Sequence, residues 1–187
     1  MLRDLNKSFH ASEIAKTLKL NQKSVSNHLN ALEKQHLLKY DIKGRNKLFF
    51  FHKGNEFVFQ KFILNLETSK TLSFLQSDFK TKEIMMKLEK ILNNPFLVFG
   101  SYAKGLQIKE SDLDLLTVGS YDEKEVKKIE RFYSIEINIH SLKKKDLFYA
   151  LEKKDRLMNE IVKDHIIICG FDLFINAFLS KHYQFCL

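Results

Sequence analysis

Two short segments hold the residues best suited to chemistry. The first, Gly100-Ser101-Tyr102-Ala103-Lys104-Gly105, follows the apolar run Phe96–Phe99, which reads as a buried strand. A strand that ends in Gly-Ser ahead of a helix lets the backbone approach a phosphate closely and offers it free N–H groups. The Ser101 hydroxyl is a further donor, and Lys104 lies within reach of a bound phosphate. The second segment, Ser111-Asp112-Leu113-Asp114-Leu115-Leu116-Thr117-Val118, reads as another strand. Its aspartates are two residues apart, so a strand places both carboxylates on one face and turns Leu113 and Leu115 to the other. Two carboxylates on one edge repel each other unless a cation sits between them. Hard oxygen donors of this kind suit Mg²⁺ or Mn²⁺, and Mg²⁺ also holds substrate phosphates.

Either segment alone has a plain structural explanation, a turn or a strand start with solvated aspartates. Together, GSYAKG followed by SDLDLL resembles the signature of the DNA polymerase beta-like nucleotidyltransferases, and most closely that of their small prokaryotic members, the minimal nucleotidyltransferases. The resemblance spans about residues 94–187. It implies an α+β domain with a short mixed sheet and flanking helices. It also implies transfer of a nucleoside monophosphate from a nucleoside triphosphate, ATP being the expected donor, to an acceptor hydroxyl. Carried over, Asp112 and Asp114 are the catalytic metal ligands, and Gly100 and Ser101, with Lys104, hold the β- and γ-phosphates. The family adds a third carboxylate from a later strand. In the segment Tyr133–His140, Glu136 alternates with Ile135 and Ile137 and is the residue in that place, although the family more often has Asp. Glu136 is then expected to bind a second metal ion or to help deprotonate the acceptor. His140, His165 and Cys169 read as scaffold, and Lys143-Lys144-Lys145 as a solvated helix start.

The elements ahead of this site read differently. Residues 1–53 hold eleven Lys/Arg against four Asp/Glu, a net of +7 out of +8 for the 187-residue chain. A concentrated basic field is the footprint of a polyanion binder. Ser12–Leu18 reads as a short helix and Lys19–Asn21 as a turn. Asn21 is placed to cap a second helix from Gln22 to about Gln35, in which Val25, Leu29 and Leu32 form one buried stripe. Two β-prone runs, Leu37–Ile42 and Leu48–His52, flank Lys43-Gly44-Arg45-Asn46 as a hairpin with a basic tip. This succession resembles a winged helix-turn-helix, of which Met1–Asn6 would be a shortened first helix. The resemblance implies binding to double-stranded DNA, with the second helix of the motif in the major groove and the wing on the backbone. Gln22, Lys23, Ser26, Asn27 and Asn30 are then the base or backbone readers, and Arg45 and Lys47 the phosphate contacts.

The expected organisation is α+β: an N-terminal winged helix-turn-helix over 1–53, a helical linker over 54–94, and the nucleotidyltransferase fold over 95–187. The linker carries apolar faces at Phe57, Phe59, Phe62, Ile63 and Leu66 and at Ile84, Met85, Leu88, Ile91 and Leu92, with Ser77-Asp78 marking a break. These faces are to be buried on the catalytic domain or on a second copy of the chain in a homodimer. No apolar run is long enough to span a membrane, the start lacks a signal-peptide core, and two cysteines supply neither a disulfide framework nor a zinc site. A cytoplasmic location is expected. Three roles fit the sequence. They are a DNA-tethered nucleotidyltransferase, a DNA-binding transcriptional regulator whose second domain senses nucleotide or holds a dimer, and an antitoxin-like enzyme that modifies a protein acceptor.

Overall fold

A computed structural model describes residues 7–54, 56–108, 110–153 and 155–180. The expected helix at Met1–Asn6 and the cysteine Cys186 lie outside the described residues. The chain divides into two compact units, one ending at Ile63 and the other beginning at Leu64.

The first unit opens with strand β1 (Phe9–His10), then helices α1 (Ala11–Leu18) and α2 (Gln22–Lys34) and the hairpin β2 (Leu38–Lys43) and β3 (Asn46–Phe51). The strands form an antiparallel sheet in the order β1-β3-β2. Glu13 accepts a hydrogen bond from the His10 backbone N–H at 2.8 Å, which fixes the start of α1. The Asn21 side chain caps α2 by accepting from the N–H groups of Lys23 and Ser24. Between α1 and α2, Lys19 adopts a left-handed conformation that sets the turn. The core is small: Ala15, Val25, Leu29, Leu38 and Phe49, with Leu32 packed at its edge. The turn is tighter than the sequence suggests, since Lys43 pairs with Asn46 and only Gly44 and Arg45 lie between the strands.

Helix α3 (Glu56–Ser77) contains no glycine or proline and runs through the boundary between the units. Phe59 and Ile63 are buried, but Phe57 is 69% exposed and so does not join the apolar face assigned to it from sequence. Asp78 caps α4 (Phe79–Leu92) by accepting from the Thr81 N–H. That helix ends at Asn93, which turns left-handed two residues ahead of Pro95.

The second unit is built on a four-stranded mixed sheet in the order β6-β5-β4-β7, formed by β4 (Phe96–Phe99), β5 (Leu113–Val118), β6 (Ile137–Leu142) and β7 (Ile166–Cys169). β4 is antiparallel to β5 and β7, whereas β5 and β6 run parallel, joined through α6 (Glu123–Tyr133). Val98, Leu113, Leu115 and Ile137 pack in one core with Ile84, Met85 and Leu88 of α4 and Val126 and Ile129 of α6. Alternation turns Leu97, Leu116 and Ile167 to the opposite face, where they are also fully buried. Burial on both faces explains why these strands read as continuous apolar runs. Helices α7 (Lys144–Glu152), α8 (Arg156–Lys163) and α9 (Phe171–Ser180) contribute buried Leu147, Leu151, Met158, Ile161, Phe174 and Phe178.

α3 is tied to β7 by two polar contacts. The Thr71 hydroxyl donates to the Ile167 carbonyl at 2.6 Å. Glu67, 3% exposed, sits 3.3 Å from Nε2 of the equally buried His165, a distance close enough for an ion pair but off hydrogen-bond alignment. His165 Nδ1 faces the Ile161 carbonyl at 2.8 Å. A carbonyl only accepts, so Nδ1 carries a proton and Nε2 is the nitrogen that meets the carboxylate.

Candidate functional site

The chemistry-bearing residues meet at one end of the four-stranded sheet. β4 delivers Gly100 at its last step, and the register of β4 on β5 sets Phe99 opposite Asp114. Gly100 has φ +69°, and a Cβ there would fall onto Asp114 Oδ2 and lie 3.1 Å from Asp114 Cγ. Glycine is thus required twice, for the left-handed backbone and for the close approach of the carboxylate. The helix that follows, α5 (Gly100–Lys104), has five residues and ends at a left-handed Gly105. So short a helix has little dipole, and what it can offer an anion is its first free N–H groups and the half-buried Ser101. Lys104 is exposed at its end.

Asp114 lies within β5, whereas Asp112 sits just before it and is exposed. Burial pushes the Asp114 carboxyl up from its ordinary range. A hydrogen bond from Asn138 opposes that rise, the Asp112 charge adds to it, and the His140 charge opposes it. The parallel register pairs Asp114 with Asn138, and Asn138 Nδ2 makes a long contact of 3.5 Å to Asp112 Oδ2. One amide therefore serves both aspartates. Burial also raises the Tyr102 phenol, with the charges of Asp78 and Asp112 adding to it. The His140 ring, on the same strand face as Asn138, packs 5.6 Å from the Phe99 ring.

Glu136 lies one residue ahead of β6, exposed, with its carbonyl accepting from the Leu113 N–H at 2.9 Å. The side chain that reaches the aspartates from β6 is Asn138. Among the described residues, no three His, Cys, Asp or Glu side chains are grouped to hold a metal ion. The donors that fit a divalent cation are the hard oxygens of Asp112 and Asp114, beside the Gly100 turn. Alternation along β6 puts residues 136, 138 and 140 on one face, so the face was readable in the sequence. A neutral amide gave no signal that it was the one aligned with Asp114.

In the first unit the polar residues of α2 surround a cleft lined by His10, Ser12, Gln22, Ser26, Arg45 and Lys47. Gln22, Lys23 and Asn27 are exposed on α2, and Arg45 is exposed at the hairpin tip. Lys47 Nζ donates to Asn30 Oδ1 at 2.9 Å and lies 3.9 Å over the Tyr40 ring, so these two expected contact residues are joined to each other. His10 and Ser12 are further polar groups of this cleft that sequence reasoning left aside. The His10 ring reaches it through a 3.0 Å contact of Nδ1 to the Lys47 carbonyl, a pairing over 37 residues with no local signal.

Residues 78–169 match the model of the nucleotidyltransferase domain, and residues 1–40 match that of the bacterial regulatory protein, arsR family. One similar solved structure is described as the crystal structure of a toxin-antitoxin with AMP-PNP. It shares 17% identity, covers 52% of this chain and 86% of its own, and superposes with a TM-score of 0.37, too distant a likeness to carry an argument. No curated protein matches the chain. No described helix is long and apolar enough to cross a membrane. The chain carries a nucleotidyltransferase domain of the DNA polymerase beta-like superfamily behind an N-terminal ArsR-type winged helix-turn-helix.

Proposed function

We propose that the second unit binds a nucleoside triphosphate with a divalent cation and transfers its nucleoside monophosphate to an acceptor hydroxyl, while the first unit holds the protein on double-stranded DNA. The observation that carries this reading is the packing of the Gly100 turn against Asp114, with Asp112 two residues away at the same sheet end. Asp112 and Asp114 hold the cation, and the Gly100-Ser101 backbone and hydroxyl, with Lys104, take the terminal phosphates. A bound Mg²⁺ or Mn²⁺ supplies neutralisation of the charge that builds on the phosphates during in-line displacement. The acceptor oxygen forms a bond to the α-phosphorus, the bond to the bridging oxygen breaks, and pyrophosphate leaves. Glu136, at the Asp112 end, takes the acceptor proton.

The test is mass spectrometry of the full chain, DNA, RNA and cell-extract proteins after incubation with each NTP and Mg²⁺ or Mn²⁺. The expected result is addition of one nucleoside monophosphate to one class of acceptor, lost in Asp112→Ala. Failure of the chain to bind any NTP in the presence of either ion sinks the proposal.

Asn138 favours a second reading, in which the domain binds nucleotide without turning it over and the protein is a nucleotide-responsive DNA-binding regulator. Under that reading an NTP shifts DNA affinity and is recovered intact.

A further inference from the structure

We infer that the nucleotide site takes a single divalent cation, the one that arrives with the triphosphate, and that Asn138 is the residue that keeps a second ion out. This rests on the proposal that Asp112, Asp114 and the Gly100 turn bind a metal-nucleotide complex. The position beside Asp114 on the neighbouring parallel strand belongs to Asn138 by register. Its Nδ2 faces Asp112 Oδ2 at 3.5 Å. An amide brings no negative charge, and the end turned toward the aspartates is its N–H, the positive end of its dipole. Two dications crowded against two carboxylates need further anionic donors, because each loses hydration on entering. The rung that could have supplied a third carboxylate instead supplies a hydrogen-bond donor to the two already present. That donor does part of a cation's work by damping the repulsion between Asp112 and Asp114, and it occupies the space on the Asn138 side. Glu136 stands one residue ahead of β6 with its side chain exposed, so that side chain can act as a proton acceptor without a second ion. Asn138 is a positioning residue in this account, acting through the aspartates.

The experiment counts ions. Full-length protein is dialysed against Mn²⁺ and an ATP analogue with a methylene bridge between the α- and β-phosphates, and bound Mn²⁺ per bound nucleotide is measured by electron paramagnetic resonance. One ion per nucleotide is expected for the wild type and two for Asn138→Asp, a near-isosteric change. The Asn138→Asp protein should also show a larger Mn²⁺-induced rise in its thermal midpoint. Two ions per nucleotide in the wild type overturn the inference while leaving the proposed function standing. One ion in a folded Asn138→Asp overturns the role given to Asn138. Should that variant not fold, the wild-type count decides alone. No nucleotide bound by the wild type removes the proposed function and the inference with it.

Discussion

Two places in the second unit bring ionisable side chains together, and they do it in opposite ways. Asp112 and Asp114 are like charges at the open end of the sheet, with the Asn138 amide beside them and the Gly100 turn packed against Asp114. Glu67 and His165 can carry opposite charges, and they are sealed in the core between α3 and β7. A sealed pair is self-contained: once in place it has little to offer a ligand, and breaking it leaves one group buried without a partner. An open pair of like charges is unsatisfied until something positive arrives. The difference teaches that charge kept unbalanced at a surface points to a ligand, while charge balanced in the interior points to the fold.

Breaking the sealed pair should produce the largest effect. Glu67→Ala leaves the His165 ring facing an empty buried site and should cost about 3–5 kcal/mol in urea unfolding. Replacing both, Glu67→Met with His165→Leu, should recover most of that loss, since removing both partners removes the unmet demand. A double variant as unstable as Glu67→Ala would show that the pair acts through shape rather than charge. Titration gives a second view of this pair. Burial raises the Glu67 carboxyl, but the imidazole of His165 at 3.3 Å and the Lys70 ammonium outweigh it and hold the group below its ordinary range. A carboxyl depressed in the folded state contributes stability that is complete above its unfolded pKa of about 4.3 and is lost as pH falls through the folded value. Denaturant midpoints should therefore fall with acid less steeply in Glu67→Gln than in the wild type. Equal slopes would argue that Glu67 is not the group responsible.

The next effect in size belongs to Gly100→Ala. The left-handed backbone alone costs about 1–2 kcal/mol, and the new methyl must displace the Asp114 carboxylate. The thermal midpoint should drop, and nucleotide affinity, read by calorimetry, should fall by at least about tenfold, or ~1.4 kcal/mol. Asp112→Asn should show the contrast most clearly, because it removes half of the open pair. Its fold stability should stay within about 0.5 kcal/mol of wild type, while the rise in midpoint on adding Mg²⁺ and NTP disappears. A loss of stability comparable to Glu67→Ala would erase the distinction between the two pairs.

The smallest effect extends the comparison to exposed charge of one sign. Arg45→Ala at the hairpin tip should weaken duplex DNA binding alike across sequences and lower the salt slope by about one. Lys47→Ala should also disturb sequence preference, because its ammonium holds Asn30. Identical behaviour of the two variants would mean that this contact is idle on DNA.

Legibility in the sequence followed range. GSYAKG and the two aspartates are local patterns whose geometry is set within a few residues, and β4 falls on Phe96–Phe99 as the apolar run suggests. Asn21 could be read as a cap for the same reason. The rung opposite Asp114 could not be read. β5 and β6 are parallel and joined through α6, so no turn fixes their register, and a shift of two residues keeps the same face while exchanging Glu136 for Asn138. Glu67 was equally silent, one acidic residue in a long helix whose partner lies far along the chain. The exposure of Phe57 shows that a helix passing from one unit into the other does not keep a single buried stripe.

Among the described residues, the strand order leaves β6 and β7 as the outermost members of the sheet. Outer strands present unpaired backbone groups, the usual template for edge-to-edge aggregation. Here β7 has only four residues, and β6 carries exposed His140 and Ser141 before running into Lys143, Lys144 and Lys145. A foreign strand seeking to extend the sheet would find a short rail on one side and a row of positive charges on the other. The lysines that read as an unremarkable helix start therefore act as gatekeepers, keeping a sheet with a very apolar interior from growing by accretion.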